Sequence, residues 1–235
     1  FWNADVYEGS TKSVMAFMST VVKIAGFIAI YKIVKTTFGN LSDQWMYFMY
    51  VVIIASMFIG YLSGLKQTSL KRLMAFSGIS NTGIGLLAIM NGTETGERSL
   101  VIFLIGYGAS SLIMLFVSQL INEENDDVSS LNGIGYKNPF LGVSLLIALL
   151  SLSGIPPFTG FFGKFLLIKD IIKVHPVLSI AAILSSVIGA YIYLKLILSI
   201  FNKDSNAVKI RLDWKSVVVI CMALLLLLAG WMLIL

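Results

Sequence analysis

The sequence predicts an all-α membrane protein, a polytopic bundle of transmembrane helices. Of its 235 residues, 57% are hydrophobic and only 12% are charged, and the mean hydropathy is +0.90. Soluble domains typically contain about 45–50% apolar and about 25% charged residues. The apolar runs are long and uniform, whereas a membrane β-barrel would show alternating segments of about ten residues. The single cysteine, Cys221, excludes a disulfide framework and a CxxC metal or redox site.

Seven apolar runs are candidates for membrane spans, because about 20 apolar residues cross roughly 30 Å of hydrocarbon. Backbone groups in hydrocarbon must satisfy one another, so each span is expected to be a helix. All residues, 1–235, are therefore assigned to one membrane domain. In chain order the spans are Ser13–Ile33, Gln44–Leu65, Leu73–Met90, Ser99–Ile121, Pro139–Val174, Pro176–Phe201 and Trp214–Leu235.

The fifth span contains the stretch GIPPFTGFFGK, which should break its helix. Pro156 and Pro157 lack an amide hydrogen and clash with the preceding turn. They would leave the carbonyls of Leu152 and Ser153 without helical donors. Three glycines in the stretch permit unusual dihedral angles and close approach: Gly154, Gly160 and Gly163.

We expect this break to divide the fifth span into two half-helices, about Pro139–Ser153 and about Phe161–Val174, with residues 154–160 irregular. Each half would be too short to cross the membrane alone. Transporters place ion and proton sites at interrupted helices, because freed backbone groups bind water and charge there. A proline kink that serves packing alone is the alternative.

Three lysines lie inside the predicted spans, whereas the twelve acidic residues lie outside the spans or at their ends. Lys23 is near the middle of the first span, Lys164 directly follows the break, and Lys195 is nearer the end of the sixth span. A central charge costs roughly 2.5–3.5 kcal/mol on insertion scales. These lysines are candidates for a proton relay. The alternative, favoured more for Lys195 than for the others, is snorkelling or pairing with a neighbouring helix.

Other kinds of chemistry have no signature in the sequence. We find no His/Cys metal set, no nucleophile triad and no dinucleotide fingerprint. The single histidine, His175, precedes Pro176 in a loop and is more typical of a surface residue than of a metal ligand. Redox chemistry is therefore not expected in this polypeptide.

Five stretches of the sequence, in this order, resemble the subunit N (subunit 2) family of proton-pumping NADH:quinone oxidoreductase, the respiratory complex I. The resemblance covers essentially the whole chain. The proline-containing stretch alone would also fit subunits of Mrp-type cation/proton antiporters, whereas DVYEG favours complex I. The five stretches are WNADVYEGS, STVVKIA, LKQTSLKRLMAFSGIS, SLSGIPPFTGFFGKFLL and YIYLKLI.

The resemblance implies a larger protein of about fourteen spans, built from two inverted five-helix repeats that each contain a broken helix. This chain would be the C-terminal portion, an antiporter-like half that begins at the eighth span. The second repeat would occupy roughly residues 44–201 and the final helix roughly residues 214–235. The glutamate and the lysine that the family places on its fifth and seventh spans would lie in the missing part.

The resemblance also implies the function, that of a proton-translocating subunit. Its partners would be other membrane-arm subunits, internal water and the surrounding lipid bilayer. Lys23, Lys164 and Lys195 would match basic positions on the family's eighth, twelfth and thirteenth spans. NADH, FMN, iron–sulfur clusters and quinone would be bound by partner subunits, and this chain would hold no cofactor or metal. The expected location is a bacterial inner (cytoplasmic) membrane. An Mrp-type antiporter subunit and a purely structural membrane subunit are the alternatives.

The sequence departs from the family pattern at two places. GISN puts Asn81 where the family usually has a histidine, and STKS (Ser10–Ser13) replaces APTP. An asparagine amide hydrogen-bonds water but does not carry a proton at neutral pH. A protonic role is therefore not expected at Asn81.

The distribution of lysine and arginine predicts the orientation of the chain. With the N-terminus in the cytoplasm, nine basic residues lie on the cytoplasmic side and five on the other, which agrees with the positive-inside rule. Cysteines introduced into Asn122–Asn138 or Asn202–Lys215 should react with an impermeant maleimide from the cytoplasm, and those in Asn91–Arg98 from the opposite side. Reaction of Asn91–Arg98 only from the cytoplasm would overturn this orientation.

Overall fold

The computed structural model describes residues 2–37, 42–121, 126–203, 210 and 212–229. These residues form helices and connecting turns, and no β-strand occurs among them. The helices are α1 (Trp2–Gly9), α2 (Lys12–Phe17), α3 (Lys23–Thr37), α4 (Ser42–Gly64), α5 (Leu70–Gly85), α6 (Leu87–Asn91), α7 (Glu94–Ile121), α8 (Ile134–Lys137), α9 (Pro139–Ser153), α10 (Thr159–Ile171), α11 (Pro176–Ile200) and α12 (Trp214–Leu228). A π-helical turn, Met18–Val22, joins α2 to α3, and a short 3₁₀ helix, Val128–Leu131, precedes α8.

The predicted fold class, an all-α membrane bundle, is confirmed. Five helical segments are long and apolar enough to cross a membrane, and α9 and α12 are shorter apolar helices. Residues 230–235 of the last predicted span lie outside the described residues, as do residues 122–125, 204–209 and 211 of the loops. The five long segments are Lys12–Thr37, Trp45–Gly64, Leu70–Asn91, Glu94–Ile121 and Pro176–Ile200.

Two of these segments form the centre of the bundle. The α5–α6 segment and α7 are each 78% buried across their most apolar part, against 22% for the α2–α3 segment and for α4. Helix α7 packs against α2, α9, α10 and α12, while α5 packs mainly against α4. Most side chains in the central part of α5 and α7 are therefore surrounded by other helices of the bundle.

The ends of several helices differ from the predicted spans by a few residues. Helix α5 begins at Leu70 and not at Leu73, and α7 begins at Glu94 and not at Ser99. The additional residues are polar first turns, which hydropathy cannot assign to a span. Ser69 caps α5, since its hydroxyl accepts a hydrogen bond of 3.1 Å from the Arg72 amide.

The fifth predicted span is broken, but the break is shorter than predicted. Helix α9 ends at Ser153, Gly154 has a positive φ of 79°, and α10 resumes at Thr159. Thr159 and Gly160 are thus helical, and the prediction that residues 154–160 are all irregular is wrong at these two positions. The reason is tertiary: the Gly160 amide donates a hydrogen bond of 3.1 Å to the hydroxyl of Ser151 on α9.

Opposite ends of the bundle bring together the segments that the sequence assigns to the same side. At one end, Arg72 lies 3.0 Å from Asp5 and 2.6 Å from Glu8. At the other end, Lys35 lies 3.5 Å from Glu97. This grouping agrees with the predicted alternation of spans, whereas the assignment of one end to the cytoplasm stays a prediction.

Lys12 directly precedes the first predicted span, Ser13–Ile33, but the structure buries it. It begins α2, which packs against α7, and its side chain is only 1% exposed. Its Nζ donates a hydrogen bond of 3.2 Å to the carbonyl of Ser118. Ser118 lies in the last turn of α7, where carbonyls lack helical donors. Lys12 therefore caps α7 inside the protein.

Close packing at glycines brings α10 against its neighbours. A Cβ added at Gly160 would overlap the backbone oxygen of Ser151 on α9, and one added at Gly163 would overlap the backbone of Phe103 on α7. Both glycines are helical, so their role here is close approach. Gly154 is the glycine of this stretch that adopts a left-handed conformation.

We predict that Gly160→Ala destabilises the protein, because the new methyl group would force α9 and α10 apart. Overpacking of this kind costs about 1–3 kcal/mol. The matched control is Gly26→Ala on α3, where an added Cβ meets no atom within 4 Å. Thermal unfolding of the purified protein should show a lower Tm for Gly160→Ala and an unchanged or higher Tm for Gly26→Ala. Equal Tm values for both variants would contradict the packing role.

Candidate functional site

Lys164 occupies the first part of α10, directly after the break, and its side chain is 5% exposed. Its Nζ donates a hydrogen bond of 2.6 Å to the carbonyl oxygen of Leu152. In a continuous helix that carbonyl would accept from the amide of residue 156, but residue 156 is a proline and has no amide hydrogen. The break therefore creates the acceptor that the lysine uses.

A cleft between α10 and α11 borders Lys164. It has a volume of about 590 Å³, and most of its wall is apolar. The hydroxyl of Ser186, which also lines the cleft, is buried without a hydrogen-bond partner among the described residues. Lys164 thus lies at a boundary between the helix bundle and an apolar surface of this chain. The apolar wall includes Ile155, Phe161, Phe165, Ile168, Ile183 and Val187.

Lys23 begins α3, directly after the π-helical turn. Its Nζ donates hydrogen bonds of 2.7 Å to the carbonyl of Gly78 on α5 and 3.1 Å to the hydroxyl of Tyr107 on α7. The ammonium group also lies 4.2 Å from the centroid of the Tyr107 ring, within the range of a cation–π interaction. Single π-helical turns within α-helices occur frequently at functional sites, and Lys23 is the residue that directly follows this one.

Lys23 and Lys164 share one feature. Each amine is held by a backbone carbonyl, that of Gly78 for Lys23 and that of Leu152 for Lys164. Within the described ranges, neither amine forms an ion pair with a carboxylate.

Asn81 lies on α5 in a buried hydroxyl cluster. Its amide donates 2.9 Å to the carbonyl of Ser77 and 3.4 Å to the hydroxyl of Tyr193 on α11. The hydroxyls of Ser77 and Tyr193 are hydrogen-bonded to each other, and Tyr61 on α4 meets Tyr193 edge to face at a centroid distance of 6.4 Å. We call Tyr61, Ser77, Asn81 and Tyr193 the hydroxyl cluster.

Helix α5 separates the hydroxyl cluster from Lys23, because neighbouring residues of α5 face each of them. Ser77 and Asn81 are one turn apart and face Tyr193, whereas Gly78 faces Lys23. A Cβ added at Gly78 would lie 3.1 Å from the Tyr107 hydroxyl and 3.3 Å from Lys23 Nζ. A glycine at this position therefore leaves room for the lysine amine.

Three buried polar atoms near these groups have no hydrogen-bond partner among the described residues. They are Tyr61 Oη, Asn81 Oδ1 and Ser111 Oγ. Tyr61 and Asn81 belong to the hydroxyl cluster, and Ser111 lies one turn beyond Tyr107 on α7. Buried polar atoms are usually paired with protein groups or ordered water. These three atoms are therefore the candidate contacts for ordered water in this part of the bundle.

The sequence interpretation missed the tyrosines of the site. Tyr107 was not singled out, and Tyr193 was named only as part of the stretch YIYLKLI. A signal was available, because a tyrosine in a buried span needs a partner for its hydroxyl. That rule identifies candidates, but it does not say which lysine or asparagine each hydroxyl meets.

Lys195 is not part of a buried line with the other two lysines. It lies on an exposed face of α11, two residues after the fully buried Tyr193. It borders a small cavity of about 80 Å³ that Gln67 and Ser199 also line. Its position favours the snorkelling alternative, since a long flexible side chain near a helix end reaches polar surroundings readily.

His175 is half-buried and not a free surface residue. Its Nδ1 lies 2.5 Å from the hydroxyl of Tyr50 on α4, and the two rings meet edge to face at a centroid distance of 5.3 Å. Partial burial lowers the pKa of His175 below its ordinary value. The described residues contain no group of three or more His, Cys, Asp or Glu that could hold a metal ion.

The fold and the site define a class: an α-helical membrane protein with an interrupted helix and buried lysines, of the antiporter-like kind. The family described as NADH:quinone oxidoreductase/Mrp antiporter, TM, matches residues 1–189. This match extends over most of the chain, and the chain belongs to that family.

Relatives within the family point to one kind of subunit. NADH-quinone oxidoreductase subunit N of Cytophaga hutchinsonii is 34% identical over 98% of this chain and 51% of its own length. Subunit N of Rhodobacter capsulatus is 34% identical over 88% of this chain and 44% of its own length. The chain thus spans about half the length of the curated relatives it matches.

Solved structures show the same similarity. A chain of respiratory complex I from Thermus thermophilus with bound aureothin superimposes with a TM-score of 0.85 and 31% identity, covering 98% of this chain and 52% of that one. A chain of the Mrp complex from a Dietzia species superimposes with a TM-score of 0.80 and 25% identity, covering 89% of this chain and 40% of that one.

Proposed function

We propose that this chain is the proton-translocating, antiporter-like portion of a subunit-N-type protein of NADH:quinone oxidoreductase. The observation that supports this most directly is the hydrogen bond from Lys164 to the Leu152 carbonyl, which Pro156 leaves without a helical donor. It places a titratable amine at an opening of the backbone inside the membrane domain. The similarity to a subunit N relative over 98% of this chain also supports the proposal. It suggests that such an amine would transfer protons in a complex that oxidises NADH and reduces quinone.

Lys164 would exchange a proton between the interior and the far side of the membrane. As an ammonium group it donates to Leu152 at the C-terminal end of α9, where the helix dipole favours a positive charge. When the amine loses its proton, the neutral carbonyl leaves no unpaired buried anion. Both protonation states are thus accommodated by the same neutral acceptor.

Lys23 would store and relay the proton at the centre of the domain. Its contacts are also neutral, the Gly78 carbonyl and the Tyr107 hydroxyl. A hydroxyl both accepts and donates, so Tyr107 would pass the proton from Lys23 towards water near Ser111 and the hydroxyl cluster. In this scheme Asn81 would orient water and carry no proton itself.

The redox chemistry that drives transport would occur in partner subunits, where NADH, FMN, iron–sulfur clusters and quinone would bind. The portion described by residues 44–201 would form the second of two inverted repeats, and the final helix would follow it. The membrane would be a bacterial inner membrane, as the bacterial sources of the relatives suggest.

A proton-conducting subunit of an Mrp-type antiporter is the second candidate, because the Dietzia Mrp chain has nearly the same fold. The two functions differ in their energy source. Inverted membrane vesicles that contain the full-length protein and its partner subunits should acidify inside on addition of NADH if the first proposal is correct. Acidification driven only by a sodium gradient would favour the second.

We predict that Lys23→Ala in the full-length subunit impairs proton pumping more than assembly. Removing the amine should lower NADH-driven pumping by about 10-fold or more, because a positioned proton-transfer group contributes at least that much. Pumping is measured by dye quenching in inverted vesicles and assembly by native gel electrophoresis. Lys32→Ala, an exposed lysine on the same helix, is the control and should pump normally. Normal pumping by an assembled Lys23→Ala complex would remove the relay role.

We predict that Lys164→Met also lowers pumping, by about 10-fold or more, because methionine keeps the bulk of the side chain without its titratable amine. Lys164→Glu should retain part of the activity, since a buried carboxyl group can also exchange protons near neutral pH. The control is Lys173→Met, at an exposed lysine in the turn after α10. Full pumping by Lys164→Met would indicate that the break serves packing alone.

A further inference from the structure

The first turn of α5 is bound by a loop that is distant in sequence. The carbonyl of Asp126 accepts a hydrogen bond of 2.7 Å from the Leu70 amide. The Asp126 carboxylate accepts one of 3.0 Å from the Lys71 amide and another from the Ser69 hydroxyl. Ser69 in turn accepts 3.1 Å from the Arg72 amide. The first three free amides of α5 are thus all occupied, two of them by one residue.

A short antiparallel bridge aligns the same loop with the chain that enters α5. Ser69 and Asp127 form this bridge, and the Val128 amide donates 2.8 Å to the carbonyl of Thr68. These backbone contacts fix the position of the loop relative to α5, and with it the position of the Asp126 carboxylate at the N-terminus of the helix. A negative charge at that end of a helix is also favoured by the helix dipole.

Helix α1 is bound to the same turn of α5. Lys71 Nζ donates 3.1 Å to the carbonyl of Glu8 and 2.8 Å to that of Ser10, and Arg72 pairs with Asp5 and Glu8. The Asp5 and Glu8 carboxylates form ion pairs with the Arg72 side chain, whereas the Asp126 carboxylate binds the backbone at the α5 N-terminus. Asp126 is therefore the acidic residue whose side chain supports this end of the helix: without it, the Lys71 amide and the Ser69 hydroxyl would both lose their acceptor.

The position of α5 along its axis matters for Lys23. Gly78 lies two turns after Lys71, roughly 10 Å along the helix. Its carbonyl accepts the shorter of the two hydrogen bonds that Lys23 donates. Ser77 and Asn81 on the same helix meet Tyr193. A shift of α5 along its axis would move all these contacts together.

We propose that Asp126 is a positioning residue for proton transfer: by capping α5 it sets the register in which the Gly78 carbonyl receives the Lys23 amine. This inference rests on the proposed function. It assigns a role to a residue of the acidic loop that the relay itself does not use. Asp126 does not touch Lys23 and acts only through α5.

The test is Asp126→Ala in the full-length subunit within its assembled complex. Hydrogen exchange of peptides that cover residues 69–74 should become about fivefold faster, the factor expected when the first turn of a helix loses one capping hydrogen bond. Protons pumped per NADH oxidised should fall roughly twofold or more. Asp126→Asn should restore both values, because its amide oxygen still accepts from Lys71.

The matched control is Asp127→Ala, which removes the same charge from the next residue of the loop. The Asp127 carboxylate accepts 2.8 Å from the Ser129 amide and caps the 3₁₀ helix, so exchange at residues 69–74 and pumping per NADH should stay normal. Lys23→Ala is measured in parallel. If Lys23→Ala abolishes pumping while Asp126→Ala pumps normally, only the positioning role fails. If Lys23→Ala itself pumps normally, the proposed function fails.

Discussion

The carbonyl of Leu152 and the amine of Lys164 form the contact on which the site depends. A carbonyl that loses its helical donor in a membrane domain carries a desolvation cost, and so does a buried amine. Here each satisfies the other at 2.6 Å. The break in the helix and the lysine that follows it are therefore one arrangement, because removing either partner leaves the other buried and unsatisfied.

Neutral acceptors are the second property of this site. Both Lys23 and Lys164 bind backbone carbonyls, while the ion pairs of the described chain involve residues at the ends of the bundle. A buried ion pair would leave an uncompensated charge whenever one partner lost its proton. A carbonyl avoids that cost, so the surrounding helices need not rearrange when the amine changes charge. In the proposed relay they need only remain in register, so the packing of α5 and α10 would be part of its chemistry.

Composition and spacing alone determined the class of this protein and the location of its break. Long apolar runs must be helices in hydrocarbon, and two adjacent prolines remove specific amides wherever they occur. The freed Leu152 carbonyl could therefore be named from the sequence. Lys23 and Lys164 could also be singled out, because a charge in an apolar run is rare and costly.

Tertiary structure alone decided which groups meet. Tyr107 binds Lys23, Lys195 faces outward, and Lys12 is buried although it ends the polar N-terminal segment. Helical periodicity places residues on a common face, but in a membrane the lipid and the protein interior are similarly apolar, so hydropathy does not say which face is inside. That choice depends on neighbouring helices. For the same reason, the capping of α5 by Asp126 could not be read from a loop that the sequence describes only as acidic.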